Sequence, residues 1–484
     1  MPRKEYAYRV LCRSTSPGAI LDEVFVALVH RGCPVSGWRH QYLNPVSLAD
    51  TPSKCVMFHA VVSSVIRSKN IEKSILAGEL RYYLTSRFRL RNRWIFRDNG
   101  AKRRAMTVTY FSKSSSIGPS SRYRVYQFLP HLHQAGIECH VEPLFGPAYF
   151  SILHIRSSLL QTVLKIPYVV ARFLKRLGTL LALGQRDLIV IEGQLLPYAP
   201  PLVEELLRWL RYRVVFEMDD AIYLTRGHER KMPALFRMAT GVIVGNDRLA
   251  AYATQYSSHV TVVPTVVDTE RFAPRPVRVI PASDRGDDPI TIVWIGLAYN
   301  LKYLNVLAPA LRRLQERYRV KLRVVCSRPP VLPGVDIEFR SWEWQREVED
   351  LQDATIGVMP LEDTEWARGK CALKLLQYLA VGLPAVASPV GVNRDILVND
   401  ENGFLVSTEE EWYLRLESLC RDPQLCARLG HAGRRTVETR FSLAVWGPRL
   451  ADVYRAFAED VPNHQMPRPV GLSVPGHGPS TGVR

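Results

Sequence analysis

Two successive blocks of apolar strand segments and amphipathic helices dominate the hydrophobic pattern of the chain. The first block starts at residue 106 and the second at residue 290. The interiors of the strand segments are almost continuously apolar, which is typical of parallel strands covered on both faces. The predicted strand segments lie at 107–111, 137–143, 187–193, 213–223, 241–246, 290–296, 321–327, 336–339, 354–361 and 385–388. This alternation predicts two doubly wound, Rossmann-like α/β domains.

The segments outside the two blocks differ from them in composition. Residues 1–105 contain short apolar runs without the strand–helix alternation, so we expect a basic extension that is poorly structured or lies outside the folded core. A stretch rich in Pro, Asp, Arg and Gly separates the blocks and is typical of a linker. The predicted boundaries are an extension at 1–105, a first domain at 106–274, a linker at 275–289, a second domain at 290–441, a terminal helix at 442–461 that crosses back, and a disordered tail at 462–484.

The segment from Trp366 to Asn393 carries the strongest candidate chemistry. A helix is predicted from Cys371 to Val381, and the Gly and Pro that follow it are the usual signals of a helix end. Lys370, Lys374 and Gln377 are spaced four and three residues apart and would share one helix face.

Two lysines in the first turns of a helix oppose the positive end of its dipole. A bound anion would remove this conflict, because helix N-termini are suited to anion binding. The alternative is a pair of solvated lysines on an exposed face, and the spacing alone does not distinguish the two hypotheses.

Polar residues also follow the strands of the first block. Gly118 and Arg122 lie in a loop rich in Ser and Gly after the first strand, and Asp219 and Asp220 end the fourth strand segment. Ligands of doubly wound sheets bind beyond the carboxyl ends of the strands, so these residues are candidates for a binding cleft. Alternatives for the acidic pair are a metal site or a structural role in capping the next helix.

The stretch 157–183 is a basic, apolar segment in which Lys165, Arg172, Lys175 and Arg176 interrupt runs of Leu, Val and Ile. One interpretation is a pair of helices packed on the core. The other is a surface that binds anionic lipid, which would suit an enzyme with a lipid-linked acceptor.

The formal net charge of +18 is concentrated at one end of the chain. Residues 1–105 contain 19 Lys and Arg against 7 Asp and Glu, an excess of 12. Because most of the excess lies outside the predicted domains, we do not expect nucleic acid as a partner. No apolar run is long enough to predict a membrane span, no secretory signal is evident, and the eight cysteines show no metal or disulfide spacing. We expect a cytoplasmic protein, peripheral at the inner membrane face.

Three motifs resemble those of the retaining, family 4-like GT-B glycosyltransferases known as glycosyl transferases group 1. The segment 366–393 resembles their donor-binding segment, 259–274 their V-x-P-N-G-V-D-x-x-x-F signature, and 398–406 their G-x-N-G-x-L-v segment. The resemblance covers roughly residues 106–457 and implies a GT-B fold. Two glutamates that many members carry eight positions apart correspond here to Gly369 and Gln377.

The resemblance also implies a metal-independent, cofactor-free hexosyltransferase that uses a nucleotide-sugar donor and a sugar, lipid-linked or polysaccharide acceptor. The implied roles are catalysis for Lys370, Asp219 and Asp220, donor binding for Gly296, Lys374, Gln377, Gly391, Val392 and Asn393, and acceptor or phosphate binding for Gly118 and Arg122. Alternatives are a nucleotide-sugar epimerase or a non-catalytic protein that binds nucleotide-sugar or nucleic acid.

Overall fold

The computed structural model describes residues 105–153, 155, 157–275 and 289–459. The predictions for the N-terminal extension, for nearly all of the linker and for the C-terminal tail therefore lie outside the described residues. The described chain contains two sheets, each of six parallel strands.

The first sheet has the strand order β2-β1-β3-β4-β5-β6. Its strands are β1 Met106–Phe111, β2 Ile137–Val141, β3 Leu188–Glu192, β4 Val214–Met218, β5 Gly241–Val244 and β6 Val260–Val262. The central strands are buried on both faces, as their apolar runs predicted. The order reverses between β1 and β3, and this switch point makes a crevice beyond the carboxyl ends of the two strands.

The second sheet has the strand order β12-β11-β10-β7-β8-β9. Its strands are β7 Ile290–Ile295, β8 Val320–Cys326, β9 Ile337–Ser341, β10 Ile356–Met359, β11 Ala385–Ala387 and β12 Phe404–Leu405. Counted within the domain, this is the 3-2-1-4-5-6 order of dinucleotide-binding folds, with its switch point between β7 and β10. The predicted pair of doubly wound sheets is thus confirmed.

Helices cover both faces of each sheet and complete four apolar clusters, two in each half. The first seven are α1 Pro119–Arg124, α2 Leu129–Gln134, α3 Pro147–Leu153, α4 Ser158–Leu181, α5 Leu202–Trp209, α6 Lys231–Met238 and α7 Asp247–Ala253. The remainder are α8 Ala308–Arg317, α9 Glu347–Gln352, α10 Glu365–Arg368, α11 Leu373–Ala380, α12 Asn393–Ile396, α13 Glu409–Arg421, α14 Pro423–Arg440 and α15 Leu443–Glu459.

The terminal helix α15 packs on the first sheet although it follows the second in sequence. Leu450, Tyr454 and Phe457 join the cluster that contains Val108 and Tyr110 of β1. The hydroxyls of Tyr110 and Tyr454 form a buried hydrogen bond. The predicted crossing back of this helix is therefore confirmed.

Local backbone constraints set the bounds of two helical segments. The helix after β1 is broken into α1, a 3-10 turn and α2, because Pro130 lacks an amide hydrogen and must lie in the first turn of a helix. The helix predicted from Cys371 begins only at Leu373, since Ala372 has a left-handed backbone with φ of 54°. Lys370 consequently precedes α11 instead of sharing a helix face with Lys374.

The stretch 157–183 forms one helix, α4, in place of a pair. The hydroxyl of Ser157 caps its first turn by accepting a hydrogen bond from the Leu160 amide.

Candidate active site between the two sheets

The loop before α11 contacts the carboxyl edge of the first sheet directly. The Asn246 amide Nδ2 donates to the carbonyls of Gly369 at 3.0 Å and Lys370 at 3.3 Å. The Cys371 thiol donates to the carbonyl of Asp219 at 3.0 Å. These contacts bring residues more than 100 positions apart in sequence to one cleft.

Gly369 is required for this close approach. A Cβ atom at this position would lie 2.7 Å from the Cβ of Ala221, in the turn after β4. A glutamate, which many members of the resembling family carry here, would need the two domains to separate. The packing against Ala221 therefore disfavours any side chain at position 369.

Lys370 and Lys374 form the cationic side of the cleft. The Lys370 ammonium lies 5.7 Å from the ring centre of Tyr299 and 5.8 Å from that of Trp366. The Lys374 ammonium lies 5.4 Å from the ring centre of Trp294. Within the described ranges, neither lysine has a carboxylate at salt-bridge distance.

Gly296, the first residue after β7, makes room for the second lysine. A Cβ atom at Gly296 would lie 2.6 Å from Cε of Lys374. The side chain of Lys374 thus passes over the start of the loop at the switch point of the second sheet, where ligands of this fold class bind.

The positions of the two lysines shift the pKa of Lys374. Burial of the ammonium, followed by the like charge of Lys370, lowers the pKa of Lys374 to about 7. Asp220 acts in the opposite direction by favouring the charged lysine. A bound anion would act in the same direction as Asp220 and restore the charge of Lys374.

Asp219 and Asp220 form the acidic side. Burial and then the charge of Asp219 raise the pKa of Asp220 to about 6. Lys370 and, after it, Lys113 oppose this rise. Asp219 accepts a hydrogen bond from the Ser120 hydroxyl at 2.5 Å, so α1 positions one of the two acids.

Arg122 and Gln377 were predicted to contact ligand, and both make contacts within the protein. The Gln377 amide donates to the hydroxyl of Tyr123 at 2.9 Å and to Glu347 at 3.1 Å. The guanidinium of Arg122 lies 3.6 Å from Glu347 and 4.5 Å from the ring centre of Trp344. These side chains connect the first domain to the second, and their predicted ligand roles stay predictions.

The remaining predicted residues lie in two tight loops. Gly391 has φ of 54°, and a Cβ there would be 2.7 Å from the Arg368 carbonyl. The Asn393 side chain donates to the Ser388 carbonyl at 2.9 Å and closes the loop that also contains Val392. Gly118 precedes α1, and a Cβ there would be 1.9 Å from the hydroxyl of Ser114. The glycines therefore allow both loops to form, while their roles in binding stay predictions.

Lys113, Tyr299 and Trp366 were not singled out from the sequence. Lys113 is the second residue after β1, and its amide donates to the buried carboxylate of Glu192 at 2.9 Å. The switch-point rule applied to the loop after β1 would have found it. Trp366 lies in the short helix α10 and Tyr299 in a 3-10 helix after β7, and the local composition of neither segment distinguishes these residues. No cluster of three or more potential metal ligands occurs among the residues that the structure describes.

The architecture is that of GT-B proteins. It is similar to sucrose-phosphate synthase from Thermosynechococcus elongatus, at 18% identity and a TM-score of 0.54, over 72% of this chain and 98% of that one. It is also similar to Anabaena HepE in complex with UDP and glucose, at 13% identity and a TM-score of 0.55, over 72% and 100%. A glycosyltransferase from Rickettsia africae matches at 13% identity and a TM-score of 0.55, over 73% and 98%. Identities this low establish the fold alone.

Sequence comparison gives a family match within the second domain. Residues 289–422 match the model of the glycosyl transferases group 1 family. EpsD of Bacillus subtilis, whose own assignment as a glycosyltransferase is provisional, is 35% identical over 89 residues. That match covers 18% of this chain and 23% of EpsD, so the chain aligns with less than a quarter of that relative.

Proposed function

We propose that the protein is a glycosyltransferase that moves a hexosyl group from a nucleoside diphosphate sugar to a hydroxyl of a lipid-linked or polysaccharide acceptor. The family match within the second domain supports the reaction class, and Anabaena HepE, which shares the fold, was solved with UDP-glucose. The observation that carries the proposal is the pair Lys370 and Lys374, two ammonium groups at a switch point without a carboxylate at salt-bridge distance in the described chain.

The lysines would stabilise the leaving diphosphate. Breaking the bond between the anomeric carbon and the diphosphate oxygen leaves negative charge on the phosphates, and fixed positive charge in a water-poor cleft lowers the barrier to this step. Backbone amides after Gly296 and in the loop 389–393 would add hydrogen bonds. Because the lysines supply the charge that a divalent ion supplies elsewhere, we propose that the transfer needs no metal and no cofactor.

Asp219 and Asp220 would act on the acceptor. The acceptor oxygen forms the new bond to the anomeric carbon, and its proton must go to a nearby base. Asp220, with a pKa of about 6, is ionised at neutral pH, and its pKa is close enough to the working pH for it to act as a general base. Retention of the anomeric configuration is implied by the family resemblance, and we include it in the proposal together with a cytoplasmic location.

The proposal is tested by nucleotide binding and donor hydrolysis with the purified full chain. We expect UDP, GDP or their sugar conjugates to raise the melting temperature, and a screen of nucleotide-sugars to reveal slow hydrolysis of one donor in the presence of EDTA. Lys370→Ala should remove both effects while leaving the fold intact by circular dichroism.

The outcomes separate the alternatives. A melting-temperature shift without hydrolysis or transfer of any donor would favour a non-catalytic binding protein. The absence of any shift with all nucleotides would refute the proposed donor site. Interconversion of the donor sugar without transfer would indicate an epimerase.

A further inference from the structure

Helix α4, Ser158–Leu181, presents an apolar stripe to solvent. Leu159, Val163, Ile166 and Val170 are 75%, 57%, 60% and 52% exposed. Their spacing of four, three and four residues places them in one stripe along the helix. Phe173, Leu177 and Leu180 of the same helix pack against the core, so α4 has a second apolar surface, this stripe, that faces solvent.

Cationic side chains hold the opposite face of α4 against the first sheet. Arg172 donates to the carbonyls of Leu144 and Pro143, both at 2.8 Å. Arg176 donates to the carbonyls of Ser112 at 2.9 Å and Glu142 at 2.6 Å. Both arginines are buried, so turning the apolar stripe inward would break several charge-assisted hydrogen bonds. The exposure of the stripe is thus built into the fold.

The charge around α4 matches an anionic surface. Residues 143–186 contain six Lys and Arg and no Asp or Glu. Lys165 precedes the two buried arginines on the helix and Lys175 lies between them in sequence. The Lys165 ammonium lies 5.9 Å from the ring centre of Tyr149. Anionic lipid headgroups are attracted to such a segment, and the lysine stems can reach the headgroup level while the stripe enters the acyl boundary.

Two other environments fit the stripe less well. None of the helices in the described ranges has the length and apolarity needed to span a bilayer, and α4 itself carries four charged side chains. A second copy paired through the stripe would bring two sets of lysines together, and no carboxylate of residues 143–186 would offset their repulsion.

We propose that α4 docks the protein on an anionic bilayer, with the helix parallel to the membrane plane and the stripe buried at the border of the acyl chains. The hydrogen bond from Arg176 to the Ser112 carbonyl places α4 beside the loop that carries Lys113. The acceptor side of the cleft then lies near the lipid surface. This consequence rests on the proposed function, whereas the docking of α4 does not rest on it.

The test uses the full chain and sedimentation with vesicles of phosphatidylcholine alone or mixed equally with phosphatidylglycerol. We expect binding to the mixed vesicles, weaker binding to the neutral ones, and residual binding in high salt, where the basic residues 1–105 contribute least. The double variant Val163→Glu, Ile166→Glu should lower the partition coefficient in high salt by roughly tenfold or more.

The matched control replaces two exposed apolar residues of the second domain by glutamate. Val331 and Leu414 are 86% and 50% exposed, and the variant Val331→Glu, Leu414→Glu should bind vesicles like the parent. Both variants should keep the parent melting temperature and its response to nucleotide, so a failed docking proposal is distinguishable from a failed donor site. Equal partition of the stripe variant and the parent would overturn the proposal. So would a lipid-free dimer that the stripe variant converts to monomer.

Discussion

Replacing Lys374 by methionine tests the electrostatic basis of the donor site. Methionine has nearly the length of lysine and an apolar end, so the change removes the charge while filling much of the same space. We expect opposite effects on two quantities: the free energy of unfolding of the empty protein should rise, and the affinity for a nucleoside diphosphate should fall.

The gain in stability follows from the pKa of Lys374, which the fold lowers from 10.5 to about 7. At about 1.4 kcal/mol per pKa unit, this shift corresponds to a cost of about 5 kcal/mol for the charged form. Part of the side chain contacts solvent, which screens the charge, so we expect a net gain on the order of 2 kcal/mol in Lys374→Met.

The gain should depend on pH in a defined direction. Because the folded pKa lies below the unfolded one, the unfolded chain binds more protons between pH 7 and about 10.4, and the stability of the parent rises with pH in that window. The penalty of the buried lysine is complete below pH 7. The advantage of Lys374→Met should therefore be largest at or below pH 7 and shrink as the pH rises.

Binding should change in the other direction. A charge-assisted hydrogen bond to a phosphate contributes roughly 1.5–3 kcal/mol, so Lys374→Met should weaken UDP or GDP binding by roughly ten- to hundredfold. Parent affinity should also decline above pH 7, since the bound diphosphate must recruit a proton to Lys374.

Urea unfolding at several pH values and isothermal titration calorimetry measure both quantities. Lys321→Met is a suitable control, because Lys321 lies on β8 of the same domain but pairs with Glu338 at 2.7 Å. That variant should lose a little stability and bind nucleotide normally. Lower stability of Lys374→Met at pH 6, or unchanged nucleotide affinity, would refute the reasoning.

Two further predictions concern the rest of the cleft. Asp220→Asn should reduce the rate of transfer strongly. The transfer rate of the parent, measured as initial rates with saturating donor, should rise with pH through about 6 as the Asp220 carboxyl ionises. A parent rate that stays constant from pH 5 to about 8 would argue against a base at this position. Gly369→Glu should lower the free energy of unfolding by roughly 1–3 kcal/mol, because the new side chain collides with Ala221. Gly184→Glu, where a Cβ meets no atom within 4 Å, is the control in urea melts, and equal stability of the two variants would contradict the packing argument.

Local sequence signals were sufficient for the repeating architecture. The apolar runs at Leu188–Glu192 and Val214–Met218 became central buried strands because a run of that composition can be stable only when both faces are covered. Asp219 and Asp220 follow β4 at the edge where the parallel strands end, while their roles stay predictions. These properties depend on residues that are neighbours in sequence. The GT-B arrangement of the two domains was predicted from the family resemblance.

Contacts between segments distant in sequence determined the features that the hydrophobic pattern could not predict. Ala372 adopts a left-handed backbone in a loop whose carbonyls bind Asn246, so the lysines are separated by a turn that helical spacing could not predict. Gln377 is directed to Tyr123, more than 250 positions away in sequence. The arginines of α4 find carbonyl partners only once β1 and β2 are in place, and those bonds determine which face of the helix meets solvent. Sequence periodicity shows that a helix has two unlike faces, but only the tertiary partners of each face determine which one is buried.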